Sequence, residues 1–444
     1  MVRRVFISLI IAAFITFCVI FFLVLPKSED SKFKSPHVVI IGLDGAGWNL
    51  IQPLLDKGEL PNLNTLMKKG SHGLLRTERP VMSSVIWTSI ATGKSMAKHG
   101  IADWTFIDKN NVRVPYRQSE RRVKAFWNIL GNSGWKVGIV NWFVTHPPEE
   151  VNGYMISEEF RHLARRDTSQ TATTCPQLLQ KKLQFTRRTR NDFPNIREEE
   201  HLPDFSNKKA LGGGNSKLVS HYANFVVQEK IVELASLYMF QRDPVDIFAA
   251  YFRLIDVVSH FACGYMDASL LQMGMDEEKR GAVSPETLDR IDRAYSEIMK
   301  PIYAYSDRIL GRFLEMIDSK TNLIVVSDHG FGFNKGGYGH TNLPEIPHGI
   351  IVMKGPNIKS GYSIQDAHIY DIVPTVLYLF GMPVAKDMDG KVITEALDEK
   401  LLQKRPVRYI ESYENESHET KVIRNKKIDE KVLEKFRALG YIEK

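Results

Sequence analysis

Three short apolar, β-branched runs constrain the fold of this 444-residue chain most, because each ends in groups that bind protons or metals. VVIIGL (38–43) is followed by Asp44. IFAAYFRLI (247–255) is followed by Asp256 and, one helical turn on, His260, and LIVVS (323–327) by the pair Asp328-His329. Apolar runs without alternation are those of parallel strands buried on both faces. In open α/β sheets ligands bind beyond the carboxyl ends of the strands, so one topology collects all five side chains. Each alone has a bland explanation, since an Asp after a strand usually caps a helix and Asp-His neighbours occur on ordinary surfaces. Three such features at three strand ends point instead to a site. Asp256 and His260 share one face if helical. Carboxylates mixed with imidazoles suit Zn²⁺, and also Mn²⁺ or Fe.

The rest of the chain keeps the rhythm. LPNLNTLMKKG (60–70) reads as a helix stopped by Gly70, and KAFWNILGNS followed by GWKVGIVNW reads as a helix–strand pair. A long helix is expected from Ser284 to Ser319, opening Ser-Pro-Glu and bent at Pro301. HGIIVMKGP is a further strand, and DIVPTVLYLFG a closing helix. Strands alternating with helices predict an α/β fold, a mostly parallel sheet with helices on both faces. Residues from about Arg161 to Lys217 break the pattern. They are polar, basic and turn-rich, an insertion that forms a cap beside the site or a mobile loop, its basic residues a solvated face or, as the alternative, a patch that meets an anionic substrate or membrane surface. Cys175 and Cys263 allow one disulfide and no disulfide framework.

Val5 to Leu25 is a 21-residue apolar stretch, roughly 31 Å long as a helix, which matches the hydrocarbon core of a bilayer. It exceeds the ~7–15 apolar residues of a signal peptide and lacks an A-x-A-like cleavage site, so an uncleaved single-pass anchor is expected. Arg3 and Arg4 favour a cytoplasmic N-terminus, with the bulk of the chain on the extracytoplasmic side. A net charge of +7 with both signs interspersed argues against a nucleic-acid polymer as partner. The expected layout is a transmembrane anchor over 1–26, a linker over 27–35, one catalytic domain over 36–400 with its insertion, and a charged extension over 401–444.

RPVMSSVIWTSIATGKSMAKHGI (79–101) adds a hydroxyl. Ser83 and Ser84 precede an apolar helical run, and a helix N-terminus offers free N–H groups and a positive dipole end to an oxyanion, phosphate above all. Either serine is equally well explained as an N-cap. Beside a metal cluster, a hydroxyl with its pKa lowered by coordination becomes a nucleophile.

Through these motifs the chain resembles the alkaline phosphatase superfamily, and within it the type I phosphodiesterase/nucleotide pyrophosphatase branch. VVIIGLDGAG, PVMSSVIWTSIATGKSMAKHGI, WKVGIVNWFVTHPPEEVNGY, LIDVVSHF, VVSDHGFG, IPHGIIVMKGPNIK and DIVPTVLYLFGMPVAKDMDG follow the family's order from residue 38 to about 395. The resemblance implies an alkaline-phosphatase-like fold and two divalent ions, Zn²⁺ first. One ion would be held by Asp256, His260 and a distal His, the other by Asp44, Asp328, His329 and the nucleophile. Counting back nine residues from Thr92 gives Ser83, where the family often has Thr. Ser84 departs from the Pro that frequently follows, and Thr88 lies a turn inside the helix. For the distal His, His340 fits the family's Gly-rich loop, whereas His348 is almost inside the next strand. His99, Asp371, Asp387 and Asp389 read as structural.

The expected activity is cleavage of a phosphodiester, pyrophosphate or phosphomonoester substrate through a phosphoseryl intermediate. Arg253, Lys335 and Lys94 are candidate cations for a monoester, and Trp142, Phe143, Trp87 and Tyr338 candidate walls of a diester pocket. The alternatives are a phosphotransferase acting on envelope lipids or polymers, and an inactive binding protein with this fold. A sulfatase is disfavoured because Ser83-Ser84-Val85-Ile86-Trp87 lacks the Pro and Arg of the C/S-x-P-x-R context.

Overall fold

The computed structural model describes residues 36–165, 172–203, 216–262, 299–334, 337–339 and 347–414, with Glu430, Leu433 and Arg437 beyond them. The apolar stretch 5–25, Cys263, residues 284–298, Lys335 and His340 lie outside the described residues. Among those described, no helix is long and apolar enough to cross a membrane.

The strands β1 (Val38–Leu43), β2 (Ser71–Arg76), β3 (Val137–Val140), β4 (Gly153–Ile156), β5 (Thr174–Cys175), β6 (Ile247–Phe252), β7 (Asn322–Val326), β8 (Gly349–Lys354) and β9 (Tyr362–His368) form one sheet. Their order is β9-β2-β8-β7-β1-β6-β3-β4-β5. The stretch β7-β1-β6-β3-β4 is parallel throughout. β8 runs antiparallel to both of its neighbours, and β5 to β4. The sheet is therefore mixed, though mostly parallel. Between β7 and β8 the described residues carry only a small hairpin, Gly332–Asn334 with Gly337–Gly339. With no described helix to cross back over the sheet, β8 enters from the edge where β7 leaves.

The helices that concern the site and its support are α1 (Trp48–Asp56), α2 (Pro61–Lys69), α3 (Ser83–Thr92), α4 (Phe126–Asn132), α5 (Leu178–Lys182), α6 (Phe193–Glu199), α7 (Ser216–Arg242), α8 (Leu254–Ala262), α9 (Lys300–Met316) and α10 (Ile372–Leu379). Side chains alternate along a strand, so each central strand feeds two cores. Val39, Ile41, Phe248, Ala250, Leu323 and Val325 pack with α1, α2, α7, α8 and α9. Val38, Ile40, Ala249, Tyr251, Ile324 and Val326 pack with α3, α4 and α10 on the other face. Pro301 sits in the first turn of α9, where its missing N–H has no helical partner to lose.

Gly42 shows how tightly α3 is seated. A Cβ there would come within 2.6 Å of the Trp87 ring. That ring is fully buried, edge-on to Trp142 and Tyr251 at centroid distances of 5.2 and 4.9 Å. Gly42→Ala is therefore expected to destabilise the protein by roughly 1–3 kcal/mol through overpacking, measured by urea unfolding. An unchanged midpoint would mean that α3 is free to retreat from the sheet.

The described part of the 161–217 insertion is packed. Leu179, Leu183 and Ile196 are buried in the first core, and Glu200 accepts from Lys230 Nζ at 2.5 Å and Arg312 Nη2 at 2.9 Å, which fastens the end of α6 to α7 and α9. The chain after residue 400 also stays on the domain. Tyr409–Ile410 pairs with Val384–Ala385, and Glu414 accepts from Lys94 Nζ and the Lys124 N–H.

Candidate metal centre

β7, β1 and β6 are adjacent and parallel, so their carboxyl ends open at one edge of the sheet. Asp44 leaves β1 there, Asp256 stands in the first turn of α8 directly after β6, and Asp328-His329 follows β7. Gly45 makes the approach possible. It has φ of +74°, and a Cβ would stand 2.9 Å from Asp256 Cα. His260 lies one turn along α8 with its Nε2 3.3 Å from Asp256 Oδ1.

Asp44, Asp256, Asp328 and His329 are all buried, and one ligand atom each from Asp44, Asp256 and His329 lies within 4.8 Å of the others. His329 Nε2 is 3.3 Å from Asp328 Oδ2, 3.5 Å from Asp44 Oδ1 and 3.9 Å from Asp256 Oδ1. Its Nδ1 is 3.0 Å from Gly330 O, which can only accept, so Nδ1 donates there and Nε2 is the nitrogen that faces the carboxylates. Burial, then Asp328 and Asp256, push the Asp44 carboxyl well above its usual range. Burial first of all pushes Asp328 up to about 7. For His260, burial acts downward and the Asp256 carboxylate more than reverses it, so its pKa is raised. Three carboxylates meeting in a buried site repel one another, and a divalent cation bound among them offsets that repulsion. The donor set fits such an ion.

Ser83 is the first residue of α3, and its N-cap is Met82, so neither serine caps this helix. Ser83 Oγ is 3.5 Å from Asp44 Oδ1. Ser84 Oγ donates instead to Asp103 O at 3.1 Å, and Thr88 Oγ1 to Ser84 O at 2.7 Å. His348 Nδ1 accepts from the Thr77 N–H at 3.1 Å. The structure thus gathers Asp44, Ser83, Asp256, His260, Asp328 and His329, while His340 lies outside the described residues.

Tyr251, the last residue but one of β6, escapes a reading of the sequence. Its buried hydroxyl donates to Asp44 Oδ2, and its carbonyl accepts from Asn141 Nδ2 at 2.8 Å, whose Oδ1 accepts from Arg161 Nη1 at 3.0 Å. The available signal was a tyrosine inside an apolar strand, because a buried phenol needs a partner. Arg161 belongs to the insertion expected to be a solvated face, yet it is 2% exposed, and burial pushes its pKa down to about 10. Tyr251→Phe is expected to weaken Mn²⁺ binding about tenfold in calorimetric titration, the usual cost of losing a group that orients a ligand. Unchanged affinity would make the hydroxyl a bystander.

Other candidates have structural roles. Trp87 and Trp142 are fully buried core. Lys94 Nζ pairs with Asp387 and Glu414 at 2.8 and 2.9 Å. Arg253 donates to Gln228 at 2.6 Å and lies over Phe225. His99 is buried against Ser89, its pKa held down at about 3 chiefly by burial. Phe143 does line a small cavity of about 40 Å³ beside Ser84, with Trp104, Tyr116, Arg117 and Arg161.

This sheet, with its cluster at the strand ends, belongs to the alkaline-phosphatase-like α/β class. A putative sulfatase from Bacteroides thetaiotaomicron VPI-5482 shares the fold at 12% identity, over 86% of this chain and 76% of that one, with a TM-score of 0.52. Murine ectonucleotide pyrophosphatase/phosphodiesterase 5 (an inactive variant, in complex with AMP) aligns at 12% identity over 82% of this chain and all of that one, with a TM-score of 0.48. The profile of the type I phosphodiesterase / nucleotide pyrophosphatase family matches residues 38–427, and the chain belongs to that family. GPI ethanolamine phosphate transferase 3 of Schizosaccharomyces pombe (strain 972 / ATCC 24843) is 32% identical over 94 residues, which is 20% of this chain. The match spans 10% of that protein's length.

Proposed function

We propose that the protein is a metal-dependent phosphoesterase that opens phosphodiester, pyrophosphate or phosphomonoester bonds through a phosphoserine on Ser83. The observation that carries this reading is the pairing of Ser83 Oγ with Asp44 Oδ1 at 3.5 Å, at a helix N-terminus and at the rim of the buried carboxylate cluster. Asp44, Asp328, His329 and Ser83 would hold one divalent ion, and Asp256, His260 and His340 the other, with Zn²⁺ first and Mn²⁺ or Fe also suited to these donors. Ions bound there supply positive charge that lowers the pKa of the hydroxyl and stabilises charge on the phosphoryl oxygens.

The chain's own groups do the rest. Ser83 Oγ, deprotonated, attacks phosphorus in line, and the bond from phosphorus to the leaving oxygen breaks. The free N–H groups at the start of α3 favour the phosphoryl oxygens as negative charge builds there. Water then cleaves the phosphoserine and restores the hydroxyl. The apolar stretch 5–25 would hold this domain at the outer face of a membrane. If an acceptor alcohol replaces water, the same site is a phosphotransferase, a second reading favoured by the 32% identity to the ethanolamine phosphate transferase segment.

The test uses the full chain in detergent, loaded with Zn²⁺ or Mn²⁺, on an aryl phosphate monoester and the bis-aryl diester. Release of phenol from either supports the esterase. Metal binding without any turnover would leave a binding protein with this fold. Turnover that rises with added alcohol, with the phosphoryl group found on it, marks the transferase.

A further inference from the structure

We propose that the segment Pro176–Arg190 is a docking surface for anionic lipid headgroups. It goes beyond the catalytic reading and rests only on the membrane tether of the proposed function. α5 and the turns after it bury one stripe and expose another. Leu179, Leu183 and Thr186 face the core, while Leu178 and Phe185 are 61% and 52% exposed. Lys181, Lys182, Arg187, Arg188 and Arg190 are exposed as well, and no acidic residue occurs from 176 to 191. Lys181 and Lys182 are one turn from both Leu178 and Phe185, so the outward stripe carries cations and large apolar groups together. The next acid, Asp192, accepts from the Thr189 N–H and hydroxyl and is near enough to Arg188 to offset part of that one charge, which leaves the other four cations.

That combination selects among polyanions. A nucleic acid or a polyphosphate would meet these cations but leave the Leu178 and Phe185 side chains in water. A bilayer surface satisfies both, because its anionic headgroups attract the cations while leucine and phenylalanine enter the boundary with the acyl chains. The linker 27–35 reaches at most about 30 Å when extended, so a tethered domain stays near the headgroups.

The experiment reconstitutes the full chain into nanodiscs of phosphatidylcholine alone or with phosphatidylglycerol, and follows amide hydrogen exchange over 176–192. Retention in the neutral discs reports the tether, and only the difference between the two discs reports the surface. Exchange is expected to slow about tenfold in the anionic discs and to recover at high salt. The quadruple variant Lys181→Glu/Lys182→Glu/Arg187→Glu/Arg188→Glu should abolish the slowing, and Leu178→Ser/Phe185→Ser should reduce it, with exchange in the core strands unchanged to show that both remain folded although the second loses the Phe185–Tyr238 ring contact. Equal exchange in the two discs would overturn the proposal. So would slowing by soluble polyphosphate in neutral discs that Leu178→Ser/Phe185→Ser leaves intact, which would make the segment a polyanion site.

Discussion

Ser83→Ala is expected to lose phosphoester turnover by on the order of 10³-fold or more, because it removes the atom that would bond to phosphorus. The fold should survive, since Ser83 is a small buried side chain whose hydroxyl faces Asp44, and Asp44, Asp328 and His329 remain to hold the ion. The companion change, Ser84→Ala, removes only a hydrogen bond to Asp103 O. It should cost about 1 kcal/mol of stability and little activity. The pair separates two neighbouring hydroxyls on one helix. Mass spectrometry of enzyme quenched with a slow diester should find the phosphoryl group on Ser83. Full turnover in Ser83→Ala, with loss in Ser84→Ala, would move the nucleophile by one residue, about 100° around the helix from the hydroxyl that faces Asp44.

The second large effect concerns the metal-free protein, which should be more stable in acid than in base. Asp328 has its carboxyl raised from an ordinary 3.8 to about 7, by burial above all. Between those values the folded chain holds a proton that the unfolded chain releases. The stability linked to this group is therefore complete below the lower value and is lost as pH rises through the upper one. A shift of that size is worth roughly 4 kcal/mol. Asp44, raised for the same reason and by Asp328 and Asp256, acts in the same direction. Divalent ions bind the deprotonated carboxylates, so they should restore the lost stability and release protons as they do. Thermal melts of chelator-treated protein between about pH 4 and pH 7 measure the slope. Asp328→Asn should raise the metal-free melting point at the higher pH and abolish the gain from Zn²⁺. A metal-free protein whose stability rises with pH over this range would contradict the picture of a cluster frustrated without its ions.

Both expectations depend on residues that were readable before any coordinates. Asp44, Asp256, Asp328 and His329 stand out because parallel strands are apolar on both faces, so a charged group marks where the strand ends and the site begins. The direction of β8 was not readable. Its run Ile350–Met353 is apolar whichever way the strand points, and the path of the chain between β7 and β8 decides its direction. Tyr251 and Arg161 were hidden for a related reason. One sits in a run that looks like core, the other in a run that looks like surface, and only tertiary packing joins them through Asn141 to Asp44. Periodicity reports which face a residue shares with its neighbours along the chain, and says nothing of partners a hundred residues away.

The contacts of Glu414 have a mechanical meaning. Lys94 follows the left-handed cap that ends α3, and its buried ammonium is neutralised by Asp387 and by a carboxylate from 320 positions later. α3 is about 15 Å long, with Ser83 at its other end. The serine that faces the carboxylates is thus the tip of a lever whose base is clamped by the far end of the catalytic domain. A cut placed at residue 400, where charge begins to dominate the composition, would remove the Glu414 half of the clamp while leaving Asp387 and every candidate ligand before the cut.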